Sequence, residues 1–483
     1  MRQHSKFGLL AAIPALIIGC STGPDGPPAP STTPPPGMPA PGAPGAPGAG
    51  DPYYPADGNG GYDALGYRVG VGFDPATGRL DGDTTVVAMA TQDLSRFHLD
   101  LRGFEVASVQ VGGEPATFTR EGAFELVVTP ARPLPAGGTF ETRVRYAGIP
   151  QAAKAGELGA NGWQRSASGG AFVLGEPHSA AFWYPVNETP RDKATFHLTA
   201  RVPEGWTVVS NGREEGTSSA GGWTTSVWNE PNPIASYLTT MAVDRFSLDR
   251  GTLPDGTPLL SAYAPGAESR RRVGERVPEV LDFLASRFGP YPQSAAGGVY
   301  LGARIGYSLE TQTRPTYTQG ADLLTVVHEN AHQWFGDSVS VSSWADICLN
   351  ECLASYAQWL WAEAKEGHDL DQRYRAAVDR YRHQRSFWEP RLYDMGPGQE
   401  FTGVYSKGVL AVHALRRRVG EEVFTRVLRE WPALHRGGNA AWPEFEGFVA
   451  EAAGEDLRGF FGTWFRGTGI PAEADLYPGT LRE

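Results

Sequence analysis

The sequence predicts a multidomain protein with an all-β N-terminal domain over residues 62–249 and an α+β domain over 250–483, and three observations carry that division. Short runs of alternating or β-branched residues recur between turn signals as far as about residue 246. After about residue 250 the pattern changes to amphipathic helices separated by short strands. Within that second region stands His328-Glu329-Asn330-Ala331-His332, an H-E-x-x-H motif, with Glu351 after eighteen intervening residues.

The chain has 483 residues, too many for one ordinary core, and the first sixty-one are read as something other than fold. Arg2 and Lys6 form a short basic region, residues 7–18 are apolar but too few to span a bilayer, and the stretch closes on Ile17, Ile18, Gly19, Cys20. This resembles a bacterial lipoprotein signal with its lipobox over residues 1–20. It implies export, cleavage before Cys20, lipidation of that sulfur, and a body held by a lipid anchor on the outer face of a membrane in the cell envelope. Residues 21–61 are dominated by Pro, Gly and Ala and are expected to be a disordered tether, reaching roughly 100 Å if extended. Gly42, Gly45 and Gly48 repeat every third residue, far short of a collagen helix.

Strands are expected over 67–73, 84–90, 97–101, 106–111, 124–128 and 140–146, with Asp81-Gly82-Asp83 and Gly112-Gly113 as breaks. A second β stretch begins near Phe196. In the following domain, residues 270–288 show helical spacing at Val273, Val277, Val280, Leu281 and Leu284 and stop at Gly289-Pro290. Residues 298–302 read as a strand, and further helices are expected after 404, over 424–431 and 445–452, and after 457. Arg416 to Arg418 are expected on a solvated helix face.

The motif has a physical reading of its own. Residues four apart on a helix lie about 40° from each other around the axis, so His328 and His332 project from one face and can share a metal ion. Glu329 lies about 100° round from His328, within reach of an attacking water. A carboxylate on a second helix is a usual third ligand, and Glu351 fits because helical spacing resumes near Leu349. The set suits one Zn2+ per chain. Cys348 and Cys352 bracket Glu351; they read either as two small buried residues or as a local disulfide, since a helix sets such Cα atoms near 6 Å.

H-E-x-x-H, eighteen residues and Glu, in a context of W-F-G and L-N-E-x-x-A-S-Y, resembles the M1 family of zinc aminopeptidases within the gluzincin metallopeptidases. The resemblance covers about residues 62–471. It implies a saddle-like β domain, then a thermolysin-like zinc-peptidase domain, and zinc held by His328, His332 and Glu351 with Glu329 as general base. In Tyr405-Ser406-Lys407-Gly408 the tyrosine matches the family's donor to the oxyanion. Glu310 matches the glutamate of G-x-M-E-N, which binds the free α-ammonium of a peptide, although Tyr307 and Thr311 stand where the family has Gly and Asn. Glu176 matches a second amino-end residue. Larger members continue into a further β module and a helical domain, and the chain's end at Glu483 implies a short form.

The implied activity is removal of the N-terminal residue from peptides with a free N-terminus. The alternatives are an endopeptidase without amino-end selection and a silent surface-binding protein on the same fold. The net charge of −12 argues against a nucleic-acid surface, and nothing implies a partner protein.

Overall fold

The computed structural model describes residues 42–155 and 158–482. The lipobox with Cys20, and the tether as far as residue 41, lie outside the described residues.

The frame of the β domain is an eight-stranded sheet whose central strands are Ala194–Pro203, Tyr62–Asp74, Arg79–Ala90 and Thr139–Gly148. Tyr62–Asp74 pairs antiparallel with Arg79–Ala90 and parallel with Ala194–Pro203. One face takes the apolar residues of the alternation, among them Val69, Val71, Phe73, Val86, Val144, Leu198 and Ala200. A five-stranded sheet with Gly159–Arg165, Ala171–Leu174, Met241–Asp244 and Thr207–Ser210 belongs to the same domain, and the segment before Met241–Asp244 reaches Glu310 through Tyr237.

The second domain opens on a four-stranded sheet. Ser247–Thr252 pairs antiparallel with Pro258–Tyr263, and Ala296–Tyr300 and Thr316–Tyr317 follow in parallel register. The expected boundary after residue 249 therefore cuts a strand. Ser247–Thr252 belongs to the second domain because its backbone partners lie there. The helix expected over 270–288 is two pieces, Arg271–Gly274 and Val277–Phe288. Four helices build the site's support: Val277–Phe288, Leu323–Ala331, Cys348–Glu366 and Lys407–Val419, each packed on the next.

One expectation about the surface fails. Arg416 is buried, with Nε donating to Glu421 at 2.7 Å, Nη2 to Glu363 at 3.0 Å and Nη1 to the Tyr356 hydroxyl at 3.2 Å. Arg417 reaches Asp371 at 2.7 Å and Arg418 reaches Glu455 at 3.0 Å, so the three arginines tie helices together.

The tether also ends earlier than residue 61. Ala43–Pro44 adds to the edge of Leu94–Asp100, and the buried Asp51 carboxylate accepts the amides of Tyr53 at 2.8 Å, Tyr54 at 3.2 Å and Trp344 at 3.0 Å. Composition misled here because it measures the apolar side chains available for a core. This segment is held by backbone pairing and by one carboxylate and two aromatic rings. Asp51→Ala strands three amide donors, two of them from the docked segment itself, and is expected to destabilise the protein by about 1–3 kcal/mol. The midpoint of urea unfolding reads this directly, and an unchanged midpoint would mean that the segment contributes nothing.

Candidate active site

Asp322 starts the first site helix. Its carboxylate accepts the Thr325 amide at 2.9 Å while the Thr325 hydroxyl reaches back, a reciprocal cap that fixes where Leu323–Ala331 begins. That start sets the phase of the helix, which buries Val326, Val327 and Ala331 and turns His328, Glu329 and His332 toward the cleft.

His328 Nε2 and His332 Nε2 stand 3.1 Å apart with their rings nearly perpendicular. Glu351 Oε2, from the second helix Cys348–Glu366, lies 3.2 Å from His328 Nε2 and 3.6 Å from His332 Nε2. The second site helix is pinned by its own contacts: Ser355 Oγ lies 3.4 Å from His328 Nδ1, and the Gln358 amide donates to the Leu324 carbonyl at 2.9 Å. His332 Nδ1 sits 2.9 Å from the Phe335 carbonyl, which can only accept, so Nδ1 carries a hydrogen and Nε2 is the nitrogen turned toward the other donors.

These three donors fit a metal. Three ligands at ~2.1 Å in tetrahedral directions around one zinc sit about 3.4 Å from each other, and the three separations here run from 3.1 to 3.6 Å. Glu351 Oε2 is moreover buried with no well-formed hydrogen bond among the described residues.

Three further carboxylates surround them. One oxygen each from Glu310 and Glu329 lies within 4.8 Å of a His332 nitrogen, and Glu176, Glu310 and Glu351 meet within the same distance of one another. All four glutamates are buried, and Glu176 Oε1 has no hydrogen-bond partner among the described residues. Loss of water is the first cause that pushes the Glu176, Glu310 and Glu329 carboxyls above their usual range; repulsion from neighbouring carboxylates adds to it. Glu351 goes the other way. Burial would raise it, but the charge on His332 and the contacts of both imidazoles hold it well below the usual range. His332 is raised, against its burial, by Glu310 and Glu351. The pocket is electrostatically a hole for cations.

Tyr405 stands just before the helix Lys407–Val419, with its ring 6.0 Å from that of His328. It is 45% exposed to the cleft, yet its hydroxyl lies in the field of Glu351, Glu176 and Glu310. Desolvation first, then those charges, raise its pKa, so it stays a donor. Its place is set by its neighbours. The buried Lys407 ammonium donates to the carbonyls of Trp388 at 3.0 Å, Pro390 at 2.7 Å and Gly467 at 2.9 Å. A Cβ on Gly408 would come within 2.5 Å of Cys352 Sγ. That sulfur belongs to a disulfide with Cys348, one helical turn away, so the Tyr405 turn rests directly on the helix that carries Glu351.

With this geometry in view, comparison with known proteins is direct. Residues 64–238 match the peptidase M1 N-terminal domain and residues 308–464 the peptidase family M1 domain. The crystal structure of a two-domain M1 zinc metallopeptidase mutant bound to L-arginine is 30% identical, with a TM-score of 0.77, covering 84% of this chain and 96% of that one. The chain belongs to peptidase family M1. An M1 zinc metallopeptidase mutant from Deinococcus radiodurans, bound to a Tyr-Ser-Ala substrate, is 29% identical with a TM-score of 0.82, covering 88% of this chain and 99% of that one. Aminopeptidase N of Streptomyces lividans is 28% identical over 316 residues, which are 59% of this chain and 36% of that protein. The chain thus spans about a third of the length of the curated relatives it matches.

Within the M1 fold, the departure at Thr311 has a local explanation. Its hydroxyl donates to the Arg314 carbonyl at 2.6 Å and closes the turn that carries Glu310. The far side of that turn is bolted to the β domain: Asn211 Nδ2 donates to the Gln312 carbonyl at 2.8 Å, the Gly212 amide to Thr313 Oγ1 at 2.9 Å, and Arg314 Nη1 to the Ser210 carbonyl at 2.9 Å. Thr313 has a φ of 72°, a left-handed conformation that costs a β-branched residue energy and is held by these bonds and by Gln333 Oε1, which accepts its amide at 2.8 Å.

Several site residues escape any spacing rule. Tyr237 donates to Glu310 Oε1 at 3.2 Å from 73 positions earlier. Tyr54, from the docked N-terminal segment, packs edge-on to His178 and Trp344 and hydrogen-bonds Glu400. Asp57 meets His178 Nδ1 at 2.8 Å. The one available signal is the run of aromatic residues at Tyr53-Tyr54 inside an otherwise Pro/Gly-rich stretch.

A bound cation removes the mutual repulsion of the carboxylates and cannot bind the unfolded chain with comparable affinity. Stripping metal with a chelator is therefore expected to lower the melting temperature, and adding back one equivalent of zinc to restore it. A melting temperature indifferent to both would remove the metal assignment.

Proposed function

We propose that this chain is an exported zinc aminopeptidase, hydrolysing the N-terminal peptide bond of peptides outside the cell. The observation that carries the reading is the meeting of Glu176 and Glu310 beside Glu351. A metal site alone supports any hydrolase, but two more buried carboxylates, one with an unpartnered oxygen, ask for a second cation next to the first. The α-ammonium of a peptide supplies it, and its position then leaves only the first peptide bond within reach of the metal ligands.

His328, His332 and Glu351 would hold one zinc ion per chain. When bound, zinc supplies Lewis acidity, acidifying water and polarising the scissile carbonyl. Glu329, buried beside His332, takes a proton from the attacking water and passes it to the leaving amine. Tyr405, held protonated, donates to the carbonyl oxygen as negative charge develops there. Glu176 and Glu310, the latter oriented by Tyr237, grip the ammonium. The sequence features of residues 1–20 further support export and lipidation at Cys20, so the enzyme works at the outer face of a bacterial membrane.

Glu329→Gln is expected to keep stoichiometric zinc and lose about 10²–10⁴-fold in kcat, and Tyr405→Phe about 10²–10³-fold, with little change in KM. Metal analysis beside turnover of amino-acid p-nitroanilides measures both, and a fully active Glu329→Gln enzyme would sink the mechanism. N-acetylation of the substrate is expected to abolish cleavage; undiminished hydrolysis of the blocked compound would make the enzyme an endopeptidase. For the anchor, Cys20→Ala is expected to move the protein from the membrane fraction to the soluble one, and retention in the membrane would refute lipidation there.

A further inference from the structure

Tyr307 stands three residues before Glu310, in the segment where the resemblance leads one to expect glycine. A glycine there would reach nothing. The tyrosine reaches across from the second domain to the β domain, where its hydroxyl donates to the Ala160 carbonyl at 2.8 Å. The same carbonyl accepts Gln164 Nε2 at 2.8 Å, which holds it in place from its own strand. The next residue, Asn161, is fully buried and donates from Nδ2 to the backbone carbonyl of Glu176 at 3.1 Å. Gly175 lies so close to Asn161 that a Cβ there would sit 2.6 Å from the asparagine's own Cβ. A continuous path thus joins one amino-end carboxylate to the other: Glu310, Tyr307, Ala160, Asn161, Glu176.

Two features make this path more than an incidental contact. First, the downstream side of the Glu310 turn is already fixed to the β domain through Gln312, Thr313 and Arg314. Tyr307 attaches the upstream side, so Glu310 is clamped from both ends. Second, the tyrosine ring is partly buried, and its hydroxyl lies in the field of Glu176 and then Glu310. The side chain is therefore within electrostatic reach of both carboxylates.

We propose that Tyr307 is a positioning residue that sets the spacing of Glu176 and Glu310, with its ring as a wall behind them where a residue preceding the first one of a substrate would have to pass, and so governs how strictly the enzyme demands a free amino end. The inference rests on the aminopeptidase reading. It assigns the strictness of that activity to an interdomain hydrogen bond rather than to the carboxylates alone.

The test compares the wild type, Tyr307→Phe and Tyr307→Ala on the best substrate of an amino-acid p-nitroanilide panel and on its N-acetylated twin, with thermal melting of each protein. Tyr307→Phe keeps the ring and loses one neutral hydrogen bond. It is expected to raise KM roughly fivefold with kcat within about twofold, the split that marks lost binding rather than lost chemistry. Tyr307→Ala also opens the wall and is expected to lower the preference for free over blocked substrate at least about tenfold. Unchanged KM and preference in both variants overturns the proposal while leaving the aminopeptidase reading intact, as does a fall in kcat alone. If Tyr307→Ala does not fold, KM for Tyr307→Phe decides. A wild type that cleaves the blocked substrate as fast as the free one overturns the aminopeptidase reading, and this proposal with it.

Discussion

Four glutamates share a space that water barely reaches, and much of the architecture around it follows from keeping them there. At the separation of 4.8 Å within which their oxygens meet, two carboxylates in a protein-like medium repel by about 3 kcal/mol, before the cost of desolvating either. Left alone, the group relieves this by taking up protons, as the raised affinities of Glu176, Glu310 and Glu329 show. Cations relieve it better. On the proposed function, this electrostatic free energy would be released in two steps, first when the metal binds and then when an ammonium binds, with the fold resisting the repulsion until both are in place.

Part of the resistance comes from polar contacts between domains. Arg314 is wholly buried, lies over the Trp228 ring, and spends its guanidinium on the backbone carbonyls of Ser210 and Gly212. On the other flank the half-buried Lys193 crosses from the β domain to the carbonyls of Asp337 at 2.6 Å and Ser338 at 3.1 Å, and loss of water pushes its pKa down to about 7. Carbonyl oxygens suit this work. They orient a buried cation without adding a formal negative charge to a region already crowded with them.

The legible part of the site was the part governed by local periodicity. His328, Glu329 and His332 share one helix turn, and Glu351 lies in the next helix, so spacing alone brings them together. Tyr405 and Glu310 sit within recognisable short motifs. Tyr237 and Asn161 do not, because each meets Glu310 or Glu176 through tertiary packing of a segment whose own sequence carries no motif. Arg416 was misjudged for a related reason: three consecutive arginines resemble a solvated face, and only the positions of Glu363, Glu421 and Tyr356 reveal that the first of them is enclosed. Residues 42–61 show the limit of composition as a guide. A segment poor in apolar residues can still be ordered when a single buried carboxylate, here Asp51, gathers amides from two sides.

The two carboxylates that would hold the substrate's amino end come from different domains, Glu176 from the β domain and Glu310 from the turn beside Thr316–Tyr317. The metal donors, by contrast, all lie on two adjacent helices of one domain. On the proposed function the cleft would therefore be a gauge as well as a reactor. A small rigid-body rotation between the domains would change the width it measures and leave the hydrolytic chemistry untouched. Relatives that share these helices can consequently diverge in the peptides they accept through changes at the interdomain seam, far from any residue that touches the scissile bond.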